Sequence, residues 1–172
     1  MSRAAVNIVL AGLGGQGVLK ASDIVSHAAF LSGADVKKSE IHGMSQRGGS
    51  VTSDVRFGGA VFSPMVPEGE ADFLVVLSQD QVANNLHALR PGGMLIQPSD
   101  FDESRLKNRK ALNVALLGIL SRHLGLDAEL WQEAIRAALP EKLHAVNLEA
   151  FAMGRAGGKP GGAAPYFFRT SR

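Results

Sequence analysis

"AAVNIVLAGLGGQG", residues 4–17, decides the fold. Its first eight residues form a short apolar run, and a cluster of four glycines follows closely. An apolar run of this length that stops at glycine reads as a buried strand of a parallel sheet. The period then changes. Val18, Ala21, Val25 and Ala28 fall at three- and four-residue spacing, with Ile24 and Leu31 widening the stripe, so a helix follows the glycines. Gly33 is placed to end it as a C-cap.

The pattern repeats outward. Residues 34–39, "ADVKKS", form a weak second strand. In residues 50–57, Val51, Ser53, Val55 and Phe57 alternate with Thr52, Asp54 and Arg56, the period of a half-buried strand. Residues 71–78 and 94–98 are two further strands, and 79–90 lie between them with the look of a helix. Strands alternating with helices predict a three-layer α/β/α, Rossmann-like sheet, mixed but mostly parallel. Three C-terminal helices are expected over 108–125, 127–140 and 141–153, the last ending at Gly154. Residues 1–154 are therefore read as one domain, and 155–172 as a flexible Gly/Pro-rich basic tail.

Composition removes several classes of function. The 172 residues contain no cysteine, so this chain offers no disulfide, no thiolate nucleophile and no thiolate ligand for an iron–sulfur cluster. No apolar run is long enough to span a bilayer, and the N-terminus lacks a signal-peptide layout, so a cytoplasmic chain is expected. The formal charge is +2, but residues 155–172 carry +4 and the rest −2. The basicity belongs to the tail, which argues against a nucleic-acid face. No Ser–His–Asp arrangement and no metal-ligand spacing stands out, so no catalytic or metal-binding residue is assigned. His27, His87, His123 and His144 fall on predicted helices as surface or packing residues, and Trp131 is expected in the core.

Two segments look able to bind. In "GLGGQG" (12–17), glycines permit backbone N–H groups to converge on phosphate oxygens where a helix begins. A tight turn without a ligand would satisfy the same spacing. The dinucleotide fingerprint also asks for an acid at the end of the second strand, to grip a ribose diol. Lys37, Lys38 and Ser39 stand there instead, which favours a more phosphorylated ligand than NAD. The second segment is "SEIHGMSQRGGS" (39–50). It follows the second strand and so belongs on the same sheet edge as the glycine loop. His42, Gln46 and Arg47 supply donors there, and Gly48 and Gly49 allow close backbone approach.

Together, "GLGGQGVLKASDIV", "KKSEIHGMSQRGGSVTSDVRFG" and "SPMVPEGEADFLV" resemble the gamma domain of 2-oxoacid:ferredoxin oxidoreductases. Within that family the chain is most similar to the small, separate beta subunits of indolepyruvate ferredoxin oxidoreductases. The resemblance covers about residues 5–154. It implies a non-catalytic subunit that acts as a movable lid and helps bind coenzyme A. Its partner would be a large alpha subunit carrying thiamine diphosphate and [4Fe-4S] clusters, with ferredoxin as electron acceptor. Carried over, the nucleotide-binding residues are Gly12, Gly14, Gly15, Gln16, Gly17, Lys38 and Ser39. His42, Gln46, Arg47, Gly48 and Gly49 line the shared site or the subunit contact. The alternative is a stand-alone nucleotide- or NAD-binding Rossmann-like domain.

Overall fold

The structure, a computed structural model, describes residues 5–43 and 49–157. Five strands form one sheet: β1 (Val6–Leu13), β2 (Asp35–His42), β3 (Ser50–Gly58), β4 (Ala71–Val76) and β5 (Leu89–Ile96). Their order is β2-β3-β1-β4-β5. β1, β4 and β5 are parallel, whereas β3 runs antiparallel to both β1 and β2. Four strands thus point one way and β3 the other. The alternation read in residues 50–57 follows from this. Val51, Val55 and Phe57 lie opposite Gly12, Ile8 and Val6, and their side chains enter the main core.

That core lies between one face of the sheet and four helices: α1 (Val18–Leu31), α3 (Leu112–Ser121), α4 (Ala128–Ala138) and α5 (His144–Gly157). Gly33, at φ 89°, ends α1 as expected, and the Ala34 N–H closes the turn on the Ala29 carbonyl at 3.3 Å. Trp131 is fully buried and stacks on Phe151 with ring centroids 5.7 Å apart. Burying so many complete aliphatic and aromatic side chains, each worth about 1.5–3 kcal/mol, is what holds this layer to the sheet.

The opposite face is covered thinly, by residues 59–70 and by the four-residue α2 (Val82–Asn85) between 3₁₀ turns. A single helix over 79–90 does not form. Its apolar stripe is only Val82, Leu86 and Leu89, and Asn84 and Asn85 favour local side-chain bonding over helix. Asn85 donates to the Gln81 carbonyl at 2.8 Å, and Leu89 already belongs to β5. At the carboxyl end, α5 does not stop at Gly154 but continues to Gly157. Gly154 is buried against α3, where an added Cβ would stand 1.9 Å from the Ala115 carbonyl oxygen. The glycine is there for close helix packing, not for a cap. Residues 158–172 of the expected tail lie outside the described residues.

Candidate functional site

The site begins where β1 ends. Leu13 pairs with Ser50 and Val51 pairs with His42, so the ends of β1 and β2 and the start of β3 share one sheet edge. The two segments singled out by sequence meet there directly. The Gly14 N–H donates to the Gly49 carbonyl at 2.9 Å. His42 is exposed at the same edge. Gln46, Arg47 and Gly48 fall outside the described residues.

The glycine loop is largely braced by its own atoms. Gln16 Oε1 accepts from the Leu13 N–H at 2.7 Å, and the Gln16 N–H returns to the Leu13 carbonyl at 3.2 Å. Gly17 is the N-cap of α1 with φ 83° and ψ 29°, a left-handed conformation that costs other residues about 1–2 kcal/mol. Asn113 Nδ2 donates to the Gly17 carbonyl at 3.2 Å, tying the start of α3 to the loop. Gly15, at φ 87°, has open space where a side chain would be. The N–H groups of Gly15 and Gly17 have no partner among the described residues. They are available to a ligand beside the positive end of α1.

A cleft of about 490 Å³ opens beside this loop. Gly15, Gln16 and Gly17 form one wall, and Leu77, Asn113 and Val114 lie deeper. Lys20, Arg109 and Lys110 add positive charge to its lining. These three cations and Asn113 are the site residues that the sequence reading missed. "NRKALN" carried the signal, a basic pair just before a helix, but nothing local shows that it folds back over the glycine loop 96 residues away.

Lys38 and Ser39 are not brought to the cleft. Lys38 pairs with Val55, which lies opposite Ile8, five residues before Leu13. At about 3.4 Å per residue that is roughly 17 Å down the sheet, and β3 separates β2 from β1. Lys38 is occupied there, paired with Asp23 of α1 and, at 2.9 Å, with Glu40. Burial works against its charge, but the two carboxylates outweigh burial and hold its pKa above the ordinary lysine value. The Ser39 carbonyl accepts from Ser53 Oγ at 3.2 Å. Among the described residues no three His, Cys, Asp or Glu side chains group as metal ligands. None of the described helices is long and apolar enough to cross a membrane.

A mixed sheet with a glycine loop opening into a basic cleft at the strand ends defines an α/β domain with a Rossmann-like layout. Residues 7–157 match the family described as pyruvate ferredoxin/flavodoxin oxidoreductase. The chain is 34% identical to the indolepyruvate oxidoreductase subunit IorB of Pyrococcus horikoshii, over 86% of this chain and 93% of that protein. The IorB subunit of Thermococcus kodakarensis matches at the same identity and coverage. Among solved structures, a 2-oxoglutarate:ferredoxin oxidoreductase from Magnetococcus marinus, with 2-oxoglutarate, coenzyme A and succinyl-CoA bound, superposes with TM-score 0.82 at 20% identity. The match covers 96% of this chain but only 33% of that one. A keto/oxoacid ferredoxin oxidoreductase gamma subunit from Geobacter sulfurreducens gives TM-score 0.75 at 24% identity, covering 88% of this chain and 97% of that chain. The chain belongs to the pyruvate ferredoxin/flavodoxin oxidoreductase family, as a subunit of a 2-oxoacid:ferredoxin oxidoreductase.

Proposed function

We propose that this chain is the small subunit of a thiamine diphosphate-dependent 2-oxoacid:ferredoxin oxidoreductase acting on indolepyruvate or a related aryl-pyruvate. In this reading it binds coenzyme A and closes the active site during oxidative decarboxylation to the acyl-CoA. The observation that carries the reading is the joined edge. Through the Gly14–Gly49 bond the glycine loop, which walls the basic cleft, is joined to the end of the second segment. A ligand in the cleft would thus be within reach of a neighbouring subunit at the second segment. Thiamine diphosphate, which supplies the carbanion stabilisation of the decarboxylation, and the iron–sulfur clusters are assigned to a large partner subunit. The absence of cysteine from this sequence supports that division. This chain's own work is to orient the acceptor: Gly15 and Gly17 present N–H donors, and the start of α1 adds a favourable dipole.

The test is steady-state kinetics on the complex purified with its co-expressed large subunit, with coenzyme A and the 2-oxoacid varied separately. Gly15→Asp puts a carboxylate into open space on the loop, in a conformation that Asp tolerates better than most residues. The KM for coenzyme A should rise at least about tenfold, the scale of one charge-assisted hydrogen bond, while the KM for the 2-oxoacid stays the same. An unchanged coenzyme A dependence in a correctly assembled complex would refute the reading. Turnover of a 2-oxoacid by this chain alone would refute the division of labour.

A further inference from the structure

The cleft holds more positive charge than a diphosphate on the glycine loop needs. Arg109 and Lys110 open the 3₁₀ turn Arg109–Ala111, and both are exposed. Neither pairs with a carboxylate among the described residues. They stand directly before α3, whose first turn contains no acid. Cations at the positive end of a helix oppose its dipole, so the arrangement is unfavourable until an anion arrives. Their place is nonetheless fixed. Asn108 Oδ1 accepts from the Lys110 N–H at 3.0 Å, and Asn113, about one turn further on, is bonded to Gly17. Lys20 differs, because its ammonium already donates to the Ala138 carbonyl at 3.1 Å. Leu77, Val114 and Leu143 add apolar lining to the cleft.

We infer that the cleft is a two-anion site, in which the glycine loop takes a diphosphate bridge and Arg109 with Lys110 takes a separate phosphomonoester of the same ligand. The inference rests on the reading of the loop as a nucleotide-phosphate site. Arg109 offers a planar fork to phosphate oxygens and Lys110 a compact charge, while the apolar lining suits a base or an alkyl chain. The ligand class is an adenosine nucleotide with a diphosphate and a third phosphate on its sugar. Coenzyme A and NADP-type dinucleotides share that chemistry. Dephospho-coenzyme A and NAD lack the third phosphate.

Calorimetric titration of the full chain, and of its purified complex, with coenzyme A, 3′-dephospho-coenzyme A, NADPH and NADH at fixed ionic strength tests it. The ligand with the phosphomonoester should bind at least about tenfold tighter than its dephosphorylated counterpart. Arg109→Gln/Lys110→Gln should remove most of that ratio. The single variants should each remove part of it, and circular dichroism reports whether each is folded. A preference within the coenzyme A pair identifies that source. A preference within the NADPH pair alone supports the two-anion site and overturns the coenzyme A assignment. If neither pair shows a preference in the wild type although ligands bind, or the ratio survives in the double variant, the inference fails while the loop reading stands. If none of the four binds, both fail.

Discussion

Replacing Gly17 by alanine tests how the cleft is assembled. The perturbation has two separable parts. The first is backbone: at φ 83° an alanine should lose about 1–2 kcal/mol. The second is contact: the new Cβ would stand 2.5 Å from Asn113 Nδ2, far inside the ordinary non-bonded contact distance of a Cβ. Asn113 is only 8% exposed and is held by its bond to the Gly17 carbonyl, so it has little room to withdraw. Overpacking at such a position costs about 1–3 kcal/mol. The total of roughly 2–5 kcal/mol corresponds to a fall in Tm of about 5–15 °C for a chain of this size. Gly15→Ala is the matched control, because it shares the positive φ but meets nothing within 4 Å. It should show the backbone part alone. In a background of Asn113→Ala the excess at Gly17 should vanish, giving a coupling of about 1–3 kcal/mol in a double-mutant cycle. Thermal and urea unfolding of the wild type, the three single variants and the double variant supply the numbers. Equal losses for Gly15→Ala and Gly17→Ala, or a coupling near zero, would refute the claim that Asn113 locks α3 to the loop.

Other outcomes follow from the same structure. Asp72 is buried and accepts from Arg90 Nε at 2.6 Å and from the Asn7 N–H at 2.9 Å; Asp72→Ala should cost about 3 kcal/mol, the low end for a broken buried pair because Arg90 keeps 24% of its side chain exposed. With a urea slope of about 2 kcal/mol per molar, the midpoint should drop by roughly 1.5 M. His123 lies against Phe73, and burial, aided by Arg122, holds its pKa below 6.5. The unfolded chain therefore takes up that proton first, so stability should decline as pH falls below 6.5 and stop declining once the folded-state pKa is passed. His123→Gln should remove this slope in urea midpoints measured across pH, and a slope that persisted would assign it elsewhere. Truncation after Gly154 should lower Tm more than truncation after Gly157, since only the former deletes Arg155 and its 2.9 Å bond to Ser121 Oγ. Equal Tm values would deny that bond a part in stability.

The fold was legible where burial writes itself into a short window. β1, β3 and β4 are nearly continuous or strictly alternating apolar runs, and α1 has a full helical stripe closed by Gly33. The antiparallel entry of β3 is also implied by length, because seven residues between His42 and Ser50 cannot make a parallel crossover. Residues 79–90 were misleading for the opposite reason. Their spacing allowed a helix, but Asn84 and Asn85 weaken it and β5 claims Leu89 and Arg90, with Gly93 packed so that an added Cβ would stand 2.9 Å from the Ala71 carbonyl oxygen. The claim of β5 is a tertiary effect with no local signature.

The site divides along the same line, and the division says what a glycine fingerprint reports. A Cβ at Gly12 would meet Gln16 Oε1 at 2.9 Å, and one at Gly17 would meet Asn113, so both positions need glycine to fit their own protein. At Gly15 an added Cβ would meet no steric neighbour, and there the backbone angle alone accounts for glycine. The motif therefore establishes a turn before it establishes a ligand. Lys38 looked like the missing specificity element because a nucleotide-binding fold places its second strand beside the first. Here β3 intervenes, and the lysine serves an ion pair with α1 instead. Charge that answers to no carboxylate is the better guide to an anion, and the described residues place it at Arg109 and Lys110, beside the turn whose glycines first drew notice.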